Sequence, residues 1–281
     1  MKPMQETDQR IQAILSSGIK IPPMPDVLLR LNALLRDADA GPSELAELIR
    51  DDGGLSGALF RIVGSPVFGL RVKVDSLARA ISLLGMKTAS SVLQSEVLRN
   101  ALSDPQHARA LQHLWNRSAA IAEFCILAAR KIRAARVPAD SAFMLGMFHD
   151  CGLALLCKRY PVYAQALDDG ERWPDIEALD ESQQISHAVM GQMVARNWAL
   201  PDELALAIRY HHDPASADLD VSVSGLCALL NFAIHLYNQR HAGDDQAWFA
   251  SWHEQTSQRL SASADQLAEW ESEILADISA P

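Results

Sequence analysis

Histidine and aspartate residues in three segments of the chain have the donor atoms needed to bind a divalent metal ion. His149 and Asp150 are adjacent at the end of an apolar segment, His187 begins another, and His211 and His212 end a third. Neighbouring helical residues project about 100° apart, so an imidazole and a carboxylate can converge on one cation while the carboxylate bridges to a second. The pattern predicts His149, Asp150, His187 and His211 as ligands of a divalent metal, with Mn, Fe, Mg or Zn as candidates.

Each of these side chains also has a structural interpretation. His149 and Asp150 could bind helix ends and neighbouring backbone, and His187 could cap its own helix or pack in the core. At the end of the third segment a cationic imidazole would complement the helix dipole, which gives His211 or His212 a structural role. His212 is expected to be the more exposed of that pair. The residues alone leave both interpretations open.

Composition limits the classes of function that the chain can have. Its 281 residues predict one large domain or two intimate ones, and 49% of them are hydrophobic. The formal net charge of -10 disfavours a phosphate backbone as partner, so we expect no binding to nucleic acid. The first residues lack the apolar core of a signal peptide, and the apolar segment Val221 to Tyr237 is interrupted by polar residues. We therefore expect a cytoplasmic protein without a membrane span, in which that segment is a core helix.

Apolar residues recur at helical spacing along most of the chain, as in the stripe Val27, Leu28, Leu31, Leu34 and Leu35. Ser43 is a candidate N-cap for the helix that follows this stripe, and Asp75 or Ser76 for a later one. Alternating polarity that is typical of a strand occurs only from residue 70 to residue 74. The sequence therefore predicts an all-α fold.

The predicted domain organisation has three parts. Residues 1–19 form an N-terminal helix or extension, residues 20–240 form the main domain, and residues 241–281 form C-terminal helices. The main domain divides into a part at 20–102 and a part at 106–240, because the Ser-Asp-Pro-Gln-His segment at 103–107 separates two helices.

The segment Gly146-x-x-His149-Asp150-x-Gly152, followed by Leu155, resembles the HD superfamily of metal phosphohydrolases. Nearly the whole chain resembles the HDOD branch of this superfamily, the HD-related output domain. This resemblance implies an HD-domain-like helical bundle with an N-terminal helical subdomain. The other matching segments are Ile21–Pro25, Leu45–Asp52, Ser65–Gly69, Ser76–Gly85, Leu114–Trp115, His187–Gly191, Trp198–Pro201 and Ile208–His212.

Two departures from the catalytic HD pattern bear on function. Arg117 stands where the resemblance implies a first histidine ligand, and Ile234 stands where it implies a closing carboxylate. An arginine keeps its proton and would repel a divalent cation. We therefore predict that the guanidinium of Arg117 contacts Asp150 as a charge substitute for metal, in a cleft that also includes His212.

Two functions are consistent with this pattern. The first is a non-catalytic bacterial signal-transduction module that binds a signalling protein or a small nucleotide-like ligand on a degenerate phosphohydrolase scaffold. The alternative is a metal-dependent phosphohydrolase that acts on a nucleotide or a cyclic dinucleotide. The departures at Arg117 and Ile234 favour the first, and the retained histidines and Asp150 favour the second, so enzymatic activity stays an open question at this point.

Overall fold

A computed structural model describes residues 18–68, 74–132, 136–169, 172–213, 219–242 and 248–279. Every regular element in these ranges is a helix or a helical turn, and they contain no strand. The all-α prediction is thus confirmed. The N-terminal extension predicted at 1–19 lies almost entirely outside the described residues, and so does most of the strand-like segment at 70–74.

The N-terminal part consists of short helices whose starts are set by local capping. Asp52 accepts hydrogen bonds from the backbone N–H groups of Gly54 and Leu55, and Ser76 accepts one from Arg79. The elements are α1 (Asp26–Leu34), α2 (Pro42–Ile49), α3 (Gly53–Val63), a 3₁₀ turn (Pro66–Phe68), α4 (Leu77–Leu84) and α5 (Met86–Ala101).

The predicted N-cap at Ser43 is wrong, because α2 begins two residues earlier than that cap implies and its N-cap is Gly41. Pro42 occupies the first helical position, where its fixed φ and missing N–H are no disadvantage. Ser43 therefore lies inside the first turn. The Glu44 carboxylate accepts the Gly41 N–H at 2.9 Å, which is the contact that the third helical residue makes with the N-cap residue in a capping box.

The second part contains eight helices, which include the two longest of the described residues. They are α6 (Ala108–Lys131), α7 (Ala139–Phe148), α8 (Cys151–Arg159), α9 (Pro161–Asp168), α10 (Ile176–Gln183), α11 (His187–Asn197), α12 (Asp202–Tyr210) and α13 (Val221–Ala242). A π-helical turn (Trp248–Trp252), α14 (His253–Arg259) and α15 (Ala264–Ser279) follow. The core is continuous across these helices and the N-terminal part.

Helix α6 connects the two parts of the protein. It packs against α7, α9 and α13 and also contacts the 3₁₀ turn of the N-terminal part. Ser65 beside that turn donates a hydrogen bond to Glu123 of α6 at 2.9 Å, and Arg130 of α6 donates to the Val67 carbonyl at 2.6 Å. These contacts fix the N-terminal part to the helix that carries Arg117.

Helix α13 is long and apolar enough, by length and composition, to be considered as a membrane span. However, 72% of its apolar window is buried inside the protein, where it packs against α6, α7 and α12. It therefore has the position expected of a core helix.

Two glycines of the His-Asp segment allow helix backbones to approach closely. A Cβ atom at Gly146 of α7 would lie 2.4 Å from the Ala122 Cα of α6. One at Gly152 of α8 would lie 2.1 Å from the His187 carbonyl oxygen of α11 and 2.7 Å from the Gly191 nitrogen. Because only glycine leaves room for these contacts, the two positions bring the helices that carry the candidate ligands together.

Candidate metal centre

Asp150 lies at the junction of α7 and α8, and the other three predicted ligands converge on it. His149 Nε2 is 3.1 Å from Asp150 Oδ2, and the Nε2 atoms of His187 and His211 are each 3.4 Å from Asp150 Oδ1. All four residues are buried. The sequence-predicted residues therefore share one site, formed by the end of α7, the beginning of α11 and the end of α12.

The outer nitrogen of each of the three histidine rings is held by an acceptor. The Nδ1 atoms of His149 and His211 lie 2.7 Å from the backbone carbonyls of Gly146 and Ile208, three residues earlier in each case. A carbonyl only accepts, so these Nδ1 atoms carry protons and, in the neutral ring, Nε2 carries the lone pair. Histidines that bind metal are held in the same way by their second nitrogen.

Asp180 performs this role for His187. Its Oδ2 atom accepts hydrogen bonds from both His187 Nδ1 at 2.7 Å and the His187 backbone N–H at 2.9 Å, while Oδ1 accepts the Tyr163 hydroxyl at 2.8 Å. All three residues are buried. Asp180 was not among the predicted site residues, because it lies in a polar helix next to Glu181 and belongs to no recognisable motif.

Arg117 lies inside the same site, as predicted from its position in the sequence. Its Nη1 atom is 3.0 Å from Asp150 Oδ2 and 3.3 Å from His149 Nε2, and its side chain is only 8% exposed. The guanidinium carbon also lies 4.2 Å from the centre of the Trp173 ring and 5.5 Å from that of Tyr237. The sequence did not indicate these aromatic contacts, which stabilise the guanidinium in its position next to the Asp150 carboxylate.

Burial and neighbouring charges act against each other on the ionisable groups of the site. Burial disfavours the Asp150 carboxylate, but the electrostatic attraction of His149 and the close imidazoles of His149, His187 and His211 outweigh it, so the pKa of Asp150 is well below its usual range. Burial likewise disfavours the His187 imidazolium, yet the nearby Asp150 carboxylate and the hydrogen-bonded Asp180 carboxylate raise the pKa of His187 to about 10. Burial dominates at His211, whose pKa is well below normal.

A divalent ion fits one side of this cluster. Asp150, His187, His211 and His212 each offer a ligand atom, and these atoms lie within 4.8 Å of one another. The Nε2 atoms of His187 and His211 are buried and make no hydrogen bond, and a divalent cation that displaces the proton of His187 would satisfy both atoms. The donor set of imidazoles with one carboxylate suits Zn, Fe or Mn.

This donor group differs from the predicted one at a single position. It includes His212 and not His149, whose Nε2 faces Arg117 and the Oδ2 side of Asp150. His212 is the more exposed of the His211-His212 pair, as expected, and its Nδ1 lies 3.1 Å from Glu177 Oε1 at the rim.

A cavity of about 190 Å³ opens above Arg117 and Asp150, and we call it the His-Asp cleft. Ile234 is among its lining residues, so an apolar side chain occupies the wall where the sequence pattern implied a closing carboxylate. The remaining lining residues are His149, Trp173, Pro174, Asp175, Ile176, Glu177, His212, Asn231, Asn238, Trp248 and Trp252.

A helical bundle with a His-Asp pair between two helices and further histidines from two others has the architecture of HD-domain proteins. The HDOD domain family matches residues 21–214, and the chain belongs to that family.

Solved structures of similar fold come from several bacteria. An HDOD domain protein of unknown function from Geobacter sulfurreducens is 21% identical with a TM-score of 0.70, covering 96% of this chain and 97% of its own. A proposed metal-dependent phosphohydrolase from Shewanella amazonensis is 16% identical with a TM-score of 0.62, covering 98% and 99%. A proposed signal transduction protein from Marinobacter aquaeolei is 21% identical with a TM-score of 0.68, covering 97% and 63%.

An uncharacterised protein from Treponema pallidum is 26% identical over 196 residues. The match covers 69% of this chain and 38% of the Treponema protein, so the chain spans well under half of that relative's length.

Proposed function

We propose that this protein is a non-catalytic regulatory module of bacterial signal transduction, which acts in the cytoplasm by binding a signalling protein or a small nucleotide-like ligand. The observation that carries this proposal is the buried contact between Arg117 Nη1 and Asp150 Oδ2 at 3.0 Å. This contact places a permanent cation on the carboxylate that a two-metal hydrolase would use to bridge its ions.

Charge, and not a lack of space, opposes a second metal ion in this site. Guanidinium stays protonated in proteins, so Arg117 can neither bind a metal nor leave the site by losing its charge. A second divalent ion on the Oδ2 side of Asp150 would lie next to this cation. Two-metal hydrolysis depends on both ions to stabilise the attacking and leaving oxygens, so loss of one position disables that mechanism.

A metal-dependent phosphohydrolase is the second candidate, and one specific observation favours it. Asp150, His187, His211 and His212 would hold a single divalent ion, which when bound would supply Lewis-acid activation. The cavity of about 190 Å³ lies below the roughly 300–1,000 Å³ of most small-molecule sites. A mononucleotide would therefore enter only in part, and a cyclic dinucleotide fits this cleft less well.

The similar folds do not separate these candidates, because proteins proposed as a signalling protein and as a phosphohydrolase both share the scaffold. Metal analysis of the purified protein, combined with a phosphodiesterase screen in added manganese, separates them. We expect less than stoichiometric metal and no turnover. Stoichiometric metal together with measurable turnover would replace the regulatory proposal by the hydrolase.

Replacement of Arg117 tests the charge argument directly. Arg117→His removes the fixed cation and offers a neutral nitrogen next to Asp150, so we expect tighter manganese binding than in the wild type, measured by calorimetry and metal analysis. Arg117→Gln is the matched control, since it removes the charge without adding an imidazole. Equal manganese affinity in the wild type and both variants would show that Arg117 does not exclude metal.

A further inference from the structure

Helix α10 and the residues just before it form one wall of the His-Asp cleft. The cavity is lined by five consecutive residues of this segment, Trp173, Pro174, Asp175, Ile176 and Glu177. The guanidinium carbon of Arg117 lies 4.2 Å from the centre of the Trp173 ring, so the segment also covers the cation next to Asp150. We call residues 173–183 the α10 wall.

The α10 wall contacts two of the candidate metal ligands through carboxylates. Asp180 accepts hydrogen bonds from His187 Nδ1 at 2.7 Å and from the His187 backbone N–H at 2.9 Å. Glu177, three residues earlier and therefore on the same face of the helix, has its Oε1 atom 3.1 Å from His212 Nδ1. One short helix thus holds two of the four residues that offer ligand atoms to an ion.

The remainder of α10 has few other attachments. Its buried residues are Ile176 and Asp180, Leu179 is partly buried, and the remaining five residues are exposed. Both ends of the helix are set locally, because Asp175 caps the first turn and Gln184 ends the helix in the left-handed conformation at a φ of 52°. Segments with few buried apolar contacts open at low free-energy cost, and residues at helix ends commonly serve as hinges.

A divalent ion on the Oδ1 side of Asp150 would strengthen the attachment of α10. The Nε2 atom of His187 faces Oδ1 and makes no hydrogen bond, while Nδ1 of the same ring donates to Asp180. An ion at Nε2 carries a larger charge than the proton that it displaces, so it increases the attraction between the ring and the Asp180 carboxylate. A contact that is stronger when the ion is bound must in return hold the ion more tightly.

We propose that the α10 wall is a movable element whose docking is controlled by a divalent ion on the Oδ1 side of Asp150. With the ion bound, the wall is held against the site. Without the ion, α10 opens more often and enlarges the cleft beyond the volume of about 190 Å³ that it has with α10 docked. This inference rests on the regulatory function proposed above, for which it supplies the signal and the moving part.

Hydrogen–deuterium exchange of the full chain, measured by mass spectrometry with and without manganese, tests this proposal. We expect manganese to slow amide exchange in residues 173–183 several-fold more than in α4 of the N-terminal part, which serves as the internal reference. Calcium at the same concentration is the control ion, because it prefers oxygen ligands and should leave the exchange unchanged. Calorimetry on the same samples gives the affinity for manganese.

Asp180→Asn should abolish most of the manganese-dependent slowing and weaken manganese binding roughly tenfold, a typical effect of losing a residue that orients a metal ligand. Glu181→Gln is the matched control, because it removes the same charge from the next residue of α10, which is exposed, and should leave both quantities unchanged. Should Asp180→Asn fail to fold, the comparison of manganese with calcium in the wild type decides the matter.

The proposal is overturned if manganese does not bind, or if it binds without slowing exchange in residues 173–183 beyond that in α4. It is also overturned if Glu181→Gln loses as much affinity as Asp180→Asn. Phosphodiesterase turnover, measured on the same samples, keeps the two proposals distinct. Turnover together with ion-dependent slowing would replace the regulatory function and leave the coupling of α10 to the ion intact, whereas unchanged exchange without turnover would overturn the coupling alone.

Discussion

The two oxygens of the Asp150 carboxylate face different surroundings. Oδ2 lies 3.0 Å from the guanidinium of Arg117 and 3.1 Å from His149 Nε2. Oδ1 lies 3.4 Å from both His187 and His211, whose facing nitrogens make no hydrogen bond. One side of the carboxylate is therefore satisfied by a fixed cation of the protein, while the other side retains donors that suit a metal.

This difference would let a single ion bind on the Oδ1 side of Asp150 while Arg117 opposes a second ion on the Oδ2 side. Binding of a single ion requires only the Oδ1 side, whereas hydrolysis by two metals requires both sides. Substitutions on each side of Asp150 measure how independent the two sides are.

The largest effect is expected on the Oδ2 side, from Arg117→Met. The substitution leaves a buried carboxylate without its guanidinium partner, and breaking such a pair typically costs about 3–5 kcal/mol of unfolding free energy. Urea denaturation monitored by circular dichroism measures this loss. The control is Arg50→Met, because Arg50 pairs with Glu47 on the surface at 62% side-chain exposure and should contribute at most about 1 kcal/mol. Similar losses in the two variants would mean that the Oδ2 side is not stabilised by Arg117.

A slightly smaller loss of unfolding free energy is expected from Gly152→Ala. Gly152 lies where α8 packs closely against α11, the helix that carries His187 on the Oδ1 side of Asp150. The added methyl group would lie 2.1 Å from the His187 carbonyl oxygen, so α8 and α11 must separate, at a cost of about 3 kcal/mol. Thermal unfolding measures it. Gly53→Ala is the control, since a Cβ there meets nothing within 4 Å and stability should change by less than about 0.5 kcal/mol. A harmless Gly152→Ala would contradict the close contact.

Asp180→Asn should cost about 2 kcal/mol near pH 6, because hydrogen bonds to a charged group contribute more than neutral ones. The pKa of His187 is raised to about 10 partly by Asp180, so the stabilisation of the imidazolium is complete below its unfolded pKa of about 6.5 and is lost as the pH rises through 10. The difference in unfolding free energy between wild type and variant should shrink from pH 6 to pH 10. Tyr163→Phe, which removes one neutral hydrogen bond to Asp180, should cost about 1 kcal/mol. A pH-independent difference for Asp180→Asn would rule out this coupling.

The smallest effect on stability is expected at the rim, from His212→Gln. His212 pairs with Glu177, whose side chain is 63% exposed, and such pairs contribute at most about 1 kcal/mol. Manganese affinity should nevertheless fall, because His212 belongs to the donor group on the Oδ1 side. Calorimetric titration of the variant against Glu177→Gln measures this. Unchanged affinity for manganese in His212→Gln would remove His212 from the donor set.

The sequence predicted the helical fold because apolar periodicity is a local property that burial reinforces. It also predicted that His149, Asp150, His187 and His211 would meet, and that Arg117 would contact Asp150, from positions within a family pattern. The roles of Asp180 and Trp173 were not predictable, since they arise only when α10 and its preceding segment fold over the site. The misplaced cap at Ser43 has a similar cause, because a neighbouring proline determined where the helix begins.

Helix α6 is long enough to act as a rigid element of the protein. Its 24 residues form a rod about 36 Å long, and positions two residues apart on a helix point about 200° apart. Trp115 and Arg117 therefore face different sides of the same rod, and the Arg117 side faces Asp150. A small rotation of the rod would shift both side chains at once, in opposite directions. Such a rotation would have to break the 3.0 Å contact between Arg117 Nη1 and Asp150 Oδ2, so that contact resists it.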